Sequence, residues 1–273
     1  MAVKVICYVN GIKTSRVSVF DRGLAYGDGC FTTALIINNQ VQMLPQHLER
    51  LQMHCKRLGI ANIDINALSA TLGNVSAGVE VGVVKVMVTC GSGGRGYSRI
   101  GAQQPSVIVT LHDYPHLYTH WQEQGIHVGV SKQKLGINPM LAGLKHLNRL
   151  EQVLLRNELD QRPEDDLLVC DINGSIVECC SANVFWLKAG QWHTPSLTNA
   201  GVAGIMRSKI LAMNPTIEPG EYTLAELDNI DAMFISNAIL GIVPVNVFKQ
   251  QTLDISLVKS MQKQCLTLEN LYR

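Results

Sequence analysis

Lys145 stands in the run Gly143-Leu144-Lys145-His146-Leu147-Asn148-Arg149-Leu150. The preceding Ile137-Asn138-Pro139-Met140-Leu141-Ala142 argues against regular helix through its Asn-Pro pair. Beyond it, Leu147, Leu150 and Leu154 fall at helical spacing, which predicts a helix mouth at Lys145. Orphan N–H groups and the positive end of the dipole favour a neutral amine there, the form in which lysine is a nucleophile and a base. Taken alone, a lysine is more often a solvated surface head. Three further groups bear on the choice. Glu178 interrupts the apolar run Ile176-Val177-Glu178-Cys179-Cys180; strand alternation would turn it to water, and if it points inward it needs a cationic partner. Gly201-Val202-Ala203-Gly204-Ile205-Met206-Arg207 leads into a helix whose free N–H groups suit a phosphate, or is simply a loop and helix start. Arg50 could add a fork-shaped cation, or lie solvated on its own helix. An amine, a carboxylate, a phosphate-binding helix start and an arginine together describe a pyridoxal 5'-phosphate site.

One motif points elsewhere. Gly91-Ser92-Gly93-Gly94-Arg95-Gly96 matches the dinucleotide pattern G-x-G-x-x-G, but that pattern must open a crossover helix. Tyr97 to Pro105 is too short to hold one. The run therefore reads as a glycine-rich loop between antiparallel strands: either a flexible connection, or a loop offering N–H groups, Arg95 and Tyr97 to an anion.

The elements that must position these residues follow from periodicity. Val3 to Val9 reads as a strand with a turn at Asn10-Gly11. Asp21 to Phe31 is a glycine-punctuated loop, and Thr32 to Ile37 pairs with Val41 to Leu44. Leu48, Leu51, Cys55 and Leu58 form a helical stripe after Pro45. Asn66 to Val75 is a weaker helix, followed by strands at Val83–Thr89 and Ser106–Leu111. Periodicity lapses over Asp113 to His120, which sets a boundary between a smaller α+β domain, 1–115, and a larger domain, 116–273, expected to carry Lys145. The second domain reads as strands near 125–130, 167–170, 176–180, 183–187, 233–236 and 243–248. Helices open at Gly204 and near Ile255, the last with apolar positions through Leu268 and Asp254 as its N-cap.

With 273 residues and a net charge of +1, the chain can bury a sizeable core and lacks the basic surface of a nucleic-acid binder. No run has the length of a membrane span. The eight cysteines lack paired C-x-x-C spacing, so no metal site is expected. Without a signal-peptide layout, the expectation is a reduced, cytoplasmic protein.

Six stretches, in order, carry a resemblance: Asp21 to Phe31, His47 to Leu51, Lys145 with Leu147-Asn148, Glu178 to Phe185, Gly201 to Arg207, and Ser236-Asn237-Ala238 to Val245. In them the chain resembles the fold-type IV pyridoxal phosphate enzymes, which include branched-chain and D-amino acid aminotransferases and 4-amino-4-deoxychorismate lyase. Gly91 to Ser98, Lys145 to Leu155 and Glu178-Cys179-Cys180 look most like the lyase branch. The resemblance implies a two-domain α+β / α/β fold, a homodimer and a small-molecule substrate. It makes Lys145 the Schiff-base lysine and Glu178 the partner of the pyridine nitrogen. Arg50, the Ile205 and Met206 backbone and Asn237 go to the phosphate. Met206 and Asn237 stand where the aminotransferases often carry hydroxyl residues. The activity implied is conversion of 4-amino-4-deoxychorismate to 4-aminobenzoate and pyruvate in folate biosynthesis. Arg95 and Tyr97 would read the substrate, and Lys145 or Thr33 would return the proton. An aminotransferase on the same cofactor is the alternative.

Overall fold

The computed structural model describes residues 6–102 and 104–271, with side chains to 265. Of the expected strand Val3–Val9, the part before Ile6 lies outside the described residues, as does the Leu268 side chain. The chain forms two compact units: residues to Pro115 with Leu144–Arg149, and His116–Gly143 with Leu150 onward.

In the first unit, β1 (Ile6–Val9), β2 (Ile12–Lys13), β3 (Gly29–Ile37), β4 (Gln40–Val41), β5 (Val81–Thr89) and β6 (Ser106–His112) pair in the order β2-β1-β6-β5-β3-β4. Every pairing is antiparallel. Three helices accompany them: α1 (Arg22–Tyr26), α2 (Leu44–Leu58) and α3 (Ile65–Ser76). Alternation along β3 decides the layering. Cys30, Thr32, Ala34 and Ile36 are buried, while Phe31, Thr33 and Leu35 are only half-buried. The buried face meets Leu51 and Cys55 of α2 and Leu68, Leu72 and Val75 of α3. Each such aliphatic side chain contributes about 1.5–3 kcal/mol by leaving water.

The second unit holds α4 (Leu117–Gln124), β7 (Ile126–Val130), α5 (Leu150–Leu159), β8 (Asp166–Cys170), β9 (Ile176–Cys179), β10 (Asn183–Lys188) and β11 (Gln191–Pro195). It continues with α6 (Ile205–Met213), β12 (Pro219–Gly220), β13 (Ala232–Asn237), β14 (Gly241–Phe248), β15 (Gln251–Thr252) and α7 (Ser256–Leu271). The sheet runs β12-β11-β10-β13-β14-β7-β8-β9, with β15 beside β14. β7 lies parallel to both β14 and β8. Ile126, Val128, Val184, Trp186, Met233 and Val243 build its core on one face. Phe185 stacks on Phe234 at 4.7 Å, and α6 and α7 pack on β13.

Three expectations are corrected. The segment carrying Lys145 groups with the first unit, because its backbone bonds to β3. The helix after it starts only at Leu150, and its buried residues are Leu155 and Leu159; Leu150 and Leu154 are exposed. The lapse of periodicity at 113–120 conceals α4, whose Tyr118 and Trp121 stack at 5.4 Å and pack on the core.

Candidate functional site

In the first unit the lysine segment is extended. Phe31 donates its N–H to the Lys145 carbonyl at 2.9 Å, His146 bridges Cys30, and Leu147 donates to the Gly29 carbonyl at 2.9 Å. The stretch adds itself to the edge of β3 that β5 leaves open. Gly29 permits this, since a Cβ there would stand 2.3 Å from the Val88 carbonyl and 2.7 Å from Leu147. Lys145 is thus placed by strand-type bonds, and the argument from a helix mouth falls away. Its Nζ lies 4.7 Å from the Phe31 ring centroid. Thr33 shares the half-buried face of β3 with Phe31.

Below the other face of β3, α2 presents His47, Arg50 and His54, all buried. His47 Nδ1 meets Thr32 Oγ1 at 2.6 Å. Among the described residues His47 Nε2, His54 Nδ1 and His146 Nδ1 are buried with no hydrogen-bond partner. Burial, then the Arg50 charge, pushes His47 down to about 3. Burial with Arg50 and further cations does the same to His54, and burial with Arg149 brings His146 to about 4. Burial also lowers Arg50, to about 10. Sequence reading passed over these histidines; their i, i+3, i+4 spacing with Leu51 on α2 is the signal that marks them as inward-facing.

A pH dependence of stability follows. The unfolded chain binds protons on these histidines as pH falls below about 6.5, whereas the folded chain resists until about 3–4, so their contribution is complete above pH 6.5 and is lost on acidification. Asp166 acts in the opposite sense: burial, opposed by bonds from Leu167 and Cys180, raises it to about 6. Setting Asp166 against fully buried His47 and His54 leaves at least one net proton, or about 1.4 kcal/mol per pH unit. The urea midpoint should therefore fall steadily from pH 6.5 to 4.5. A flat or rising midpoint would show that the histidines are not held neutral.

The glycine-rich loop is organised differently from an anion nest. Arg22 donates to the carbonyls of Gly96 and Ser98 at 3.1 Å and Tyr97 at 3.2 Å, and its Nε meets Asp28 at 2.8 Å. Arg99 also pairs with Asp28. Burial alone would raise the Asp28 carboxyl, but hydrogen bonds from Arg99 and Arg22 outweigh it and hold it below the usual range. The loop's carbonyls thus converge on a cation of the same unit. Arg95 and Tyr97 are exposed, and the Tyr97 ring leans on Tyr26 at 5.5 Å.

In the second unit Glu178 is buried, 7% exposed, within a β9 that is buried throughout. Its Oε2 accepts the Val202 N–H at 2.9 Å. Gly201, at φ +83°, brings the loop this close: a Cβ would stand 2.6 Å from Val177 and 3.3 Å from Glu178 Oε2. Asn183 clamps the same loop, donating to the Val202 carbonyl at 2.9 Å and accepting from Gly204 N at 3.1 Å. A Cβ on Gly204 would fall 2.1 Å from Asn183 Oδ1, so a side chain there would displace the Asn183 amide. Gly143 donates to Gly201 and accepts from Ala203.

α6 then begins with no side-chain cap. Ile205 and Met206 are buried apolar residues whose side chains donate nothing, so any polar contact from them must come from the backbone. Such an uncapped start beside a glycine cradle fits a phosphate, and a buried carboxylate fits a protonated ring nitrogen. Asn237 ends β13. Its amide donates to Ser181 O, and its oxygen accepts from Ile239 and Leu240 N. Both ends of the amide thus shape this turn. Asn183 was missed by sequence reading; its signal is a polar residue between two apolar runs.

The family model for amino-transferase class IV matches residues 29–248. An aminodeoxychorismate lyase of Vibrio harveyi is 37% identical over 248 residues, 88% of this chain and 90% of the relative. A solved 4-amino-4-deoxychorismate lyase of Pseudomonas aeruginosa matches with a TM-score of 0.89 at 34% identity, over 95% of this chain and 97% of that one. The branched-chain amino acid aminotransferase of Escherichia coli gives 0.86 at 21% identity, over 96% and 94%, a likeness of fold.

Proposed function

The chain belongs to the amino-transferase class IV family, and from that premise we propose that it is an aminodeoxychorismate lyase using pyridoxal 5'-phosphate, converting 4-amino-4-deoxychorismate to 4-aminobenzoate and pyruvate for folate biosynthesis. The observation that carries this reading is the likeness to lyases of that name over nearly the whole chain. Lys145 is assigned as the lysine that carries the cofactor, Glu178 as the anion at its ring nitrogen, and Arg50 with the Ile205 and Met206 N–H groups as the phosphate holders. Asn237, which shapes the adjoining turn, is assigned beside the phosphate as well.

The cofactor, when bound, supplies a sink for the electron pair released at the substrate's C4. Lys145 Nζ accepts the C4 proton as general base. Glu178 would lie beside the ring nitrogen, where a buried carboxylate would favour a proton on that nitrogen. The bond from C3 to the enolpyruvyl oxygen breaks, the ring becomes aromatic, and Lys145 or Thr33 delivers the proton that yields pyruvate. We place the enzyme in the cytoplasm as a homodimer. All eight cysteines are free thiols, and no helix among the described residues is long and apolar enough to cross a membrane. Leu150, Val153 and Leu154 expose an apolar face on α5 that a second copy would cover.

The test is 4-aminobenzoate formation from aminodeoxychorismate by the purified protein supplied with cofactor; no formation would remove the reading. Arg95 and Tyr97 are assigned to the substrate. Arg95→Ala should raise KM and lower kcat/KM by roughly ten- to a hundred-fold, since a charge-assisted pair is worth about 1.5–3 kcal/mol. The cofactor's absorption should not change. An unaltered KM would release Arg95 from this role.

A further inference from the structure

Lys145 is not the only amine at the Phe31 ring. Lys85 Nζ lies 4.9 Å from the same centroid from which Lys145 Nζ lies 4.7 Å. Register explains how. Lys85 of β5 stands directly opposite Thr33 of β3 and Thr110 of β6, and Met87 stands opposite Phe31. Opposed residues share a face, so Phe31, Thr33, Lys85, Met87 and Thr110 line the side of the sheet that the α2 and α3 core does not cover. Lys85 is half-buried there. Among the described residues its ammonium has the Phe31 ring as its contact and neither a hydrogen bond nor an ion pair. Burial pushes its pKa down, a cost that an anion would remove.

Resting on the lyase reading, we propose that Lys85 binds the ring carboxylate of the substrate, setting which end of the molecule lies toward Lys145. The substrate is a dianion, so a site for it calls for two cations, and Arg95 supplies one. Its amine and its ring carboxylate are para, at opposite ends of one six-membered ring. Lys145 and Lys85 both reach the ring of Phe31, so one ligand on this face can meet both amines. With Lys145 working at the amine end, Lys85 takes the carboxylate end, and Arg95, on its exposed loop, takes the enolpyruvyl carboxylate.

The product 4-aminobenzoate keeps the ring carboxylate and lacks the enolpyruvyl group, so its binding to the holoenzyme reads Lys85 without turnover. Equilibrium dialysis should show binding to the wild type, a loss of about tenfold or more in Lys85→Gln and Lys85→Met, and near-normal binding in Lys85→Arg. Aniline, which has no carboxylate, should not distinguish wild type from Lys85→Gln. A merely structural lysine would lower thermal stability without this pattern. Equal 4-aminobenzoate binding by wild type and by whichever neutral variant folds overturns the proposal, as does failure of the wild type to bind it. If the wild type binds 4-aminobenzoate through Lys85 yet releases no pyruvate from aminodeoxychorismate, the carboxylate site stands and the lyase reading falls.

Discussion

Lys145→Ala is expected to lose turnover by several orders of magnitude, because in the proposed role Lys145 is both the attachment point of the cofactor and the base at C4. The fold should survive. The bonds that seat this segment on β3 come from the backbone of residues 145–147, not from the lysine side chain, and the half-buried ammonium contributes a contact to Phe31 worth about 0.5–2 kcal/mol. Thermal unfolding near that of wild type, with absorption of the attached cofactor abolished, is the expected pair of results. Borohydride treatment of the wild type should fix the cofactor to a peptide containing Lys145. A label on Lys85, the other amine at the Phe31 ring, would reassign the attachment.

Glu178→Gln is expected to lose about ten- to a hundred-fold in kcat/KM or more, with its structure retained. The amide has the shape of the carboxylate, and its oxygen can still accept the Val202 N–H that now reaches Glu178 Oε2 at 2.9 Å. What disappears is the negative charge, and a neutral acceptor gives up about 1.5–3 kcal/mol of charge-assisted stabilisation. Glu178→Ala would confuse the result by leaving a cavity and an unpaired buried N–H. Wild-type turnover in Glu178→Gln would move the role to another residue.

Much of this was legible along the chain because short-range physics sets it. Period-two patterning located β5 and β6, a proline and a helical stripe located α2, and paired glycines located the start of α6. Where the expectation failed, a long-range partner decided. Leu147 fits a helical stripe, yet its N–H is claimed by Gly29, more than a hundred residues earlier, through a contact that local spacing cannot encode. In the glycine-rich loop it is Arg22, some seventy residues earlier, that gathers the carbonyls. The amide of Asn237 shapes the following turn at both ends, a role its place in the sequence does not announce. α4 escaped notice because it is short and its aromatic residues form no repeating stripe.

The central claim is that this chain eliminates rather than transaminates. The most direct measurement gives one holoenzyme preparation aminodeoxychorismate and, separately, leucine or D-alanine with 2-oxoglutarate, and follows pyruvate with 4-aminobenzoate in the first case and glutamate in the others. The account predicts pyruvate and 4-aminobenzoate in equal amounts, with negligible glutamate. Rapid glutamate formation without pyruvate release from aminodeoxychorismate would contradict it and make the protein an aminotransferase.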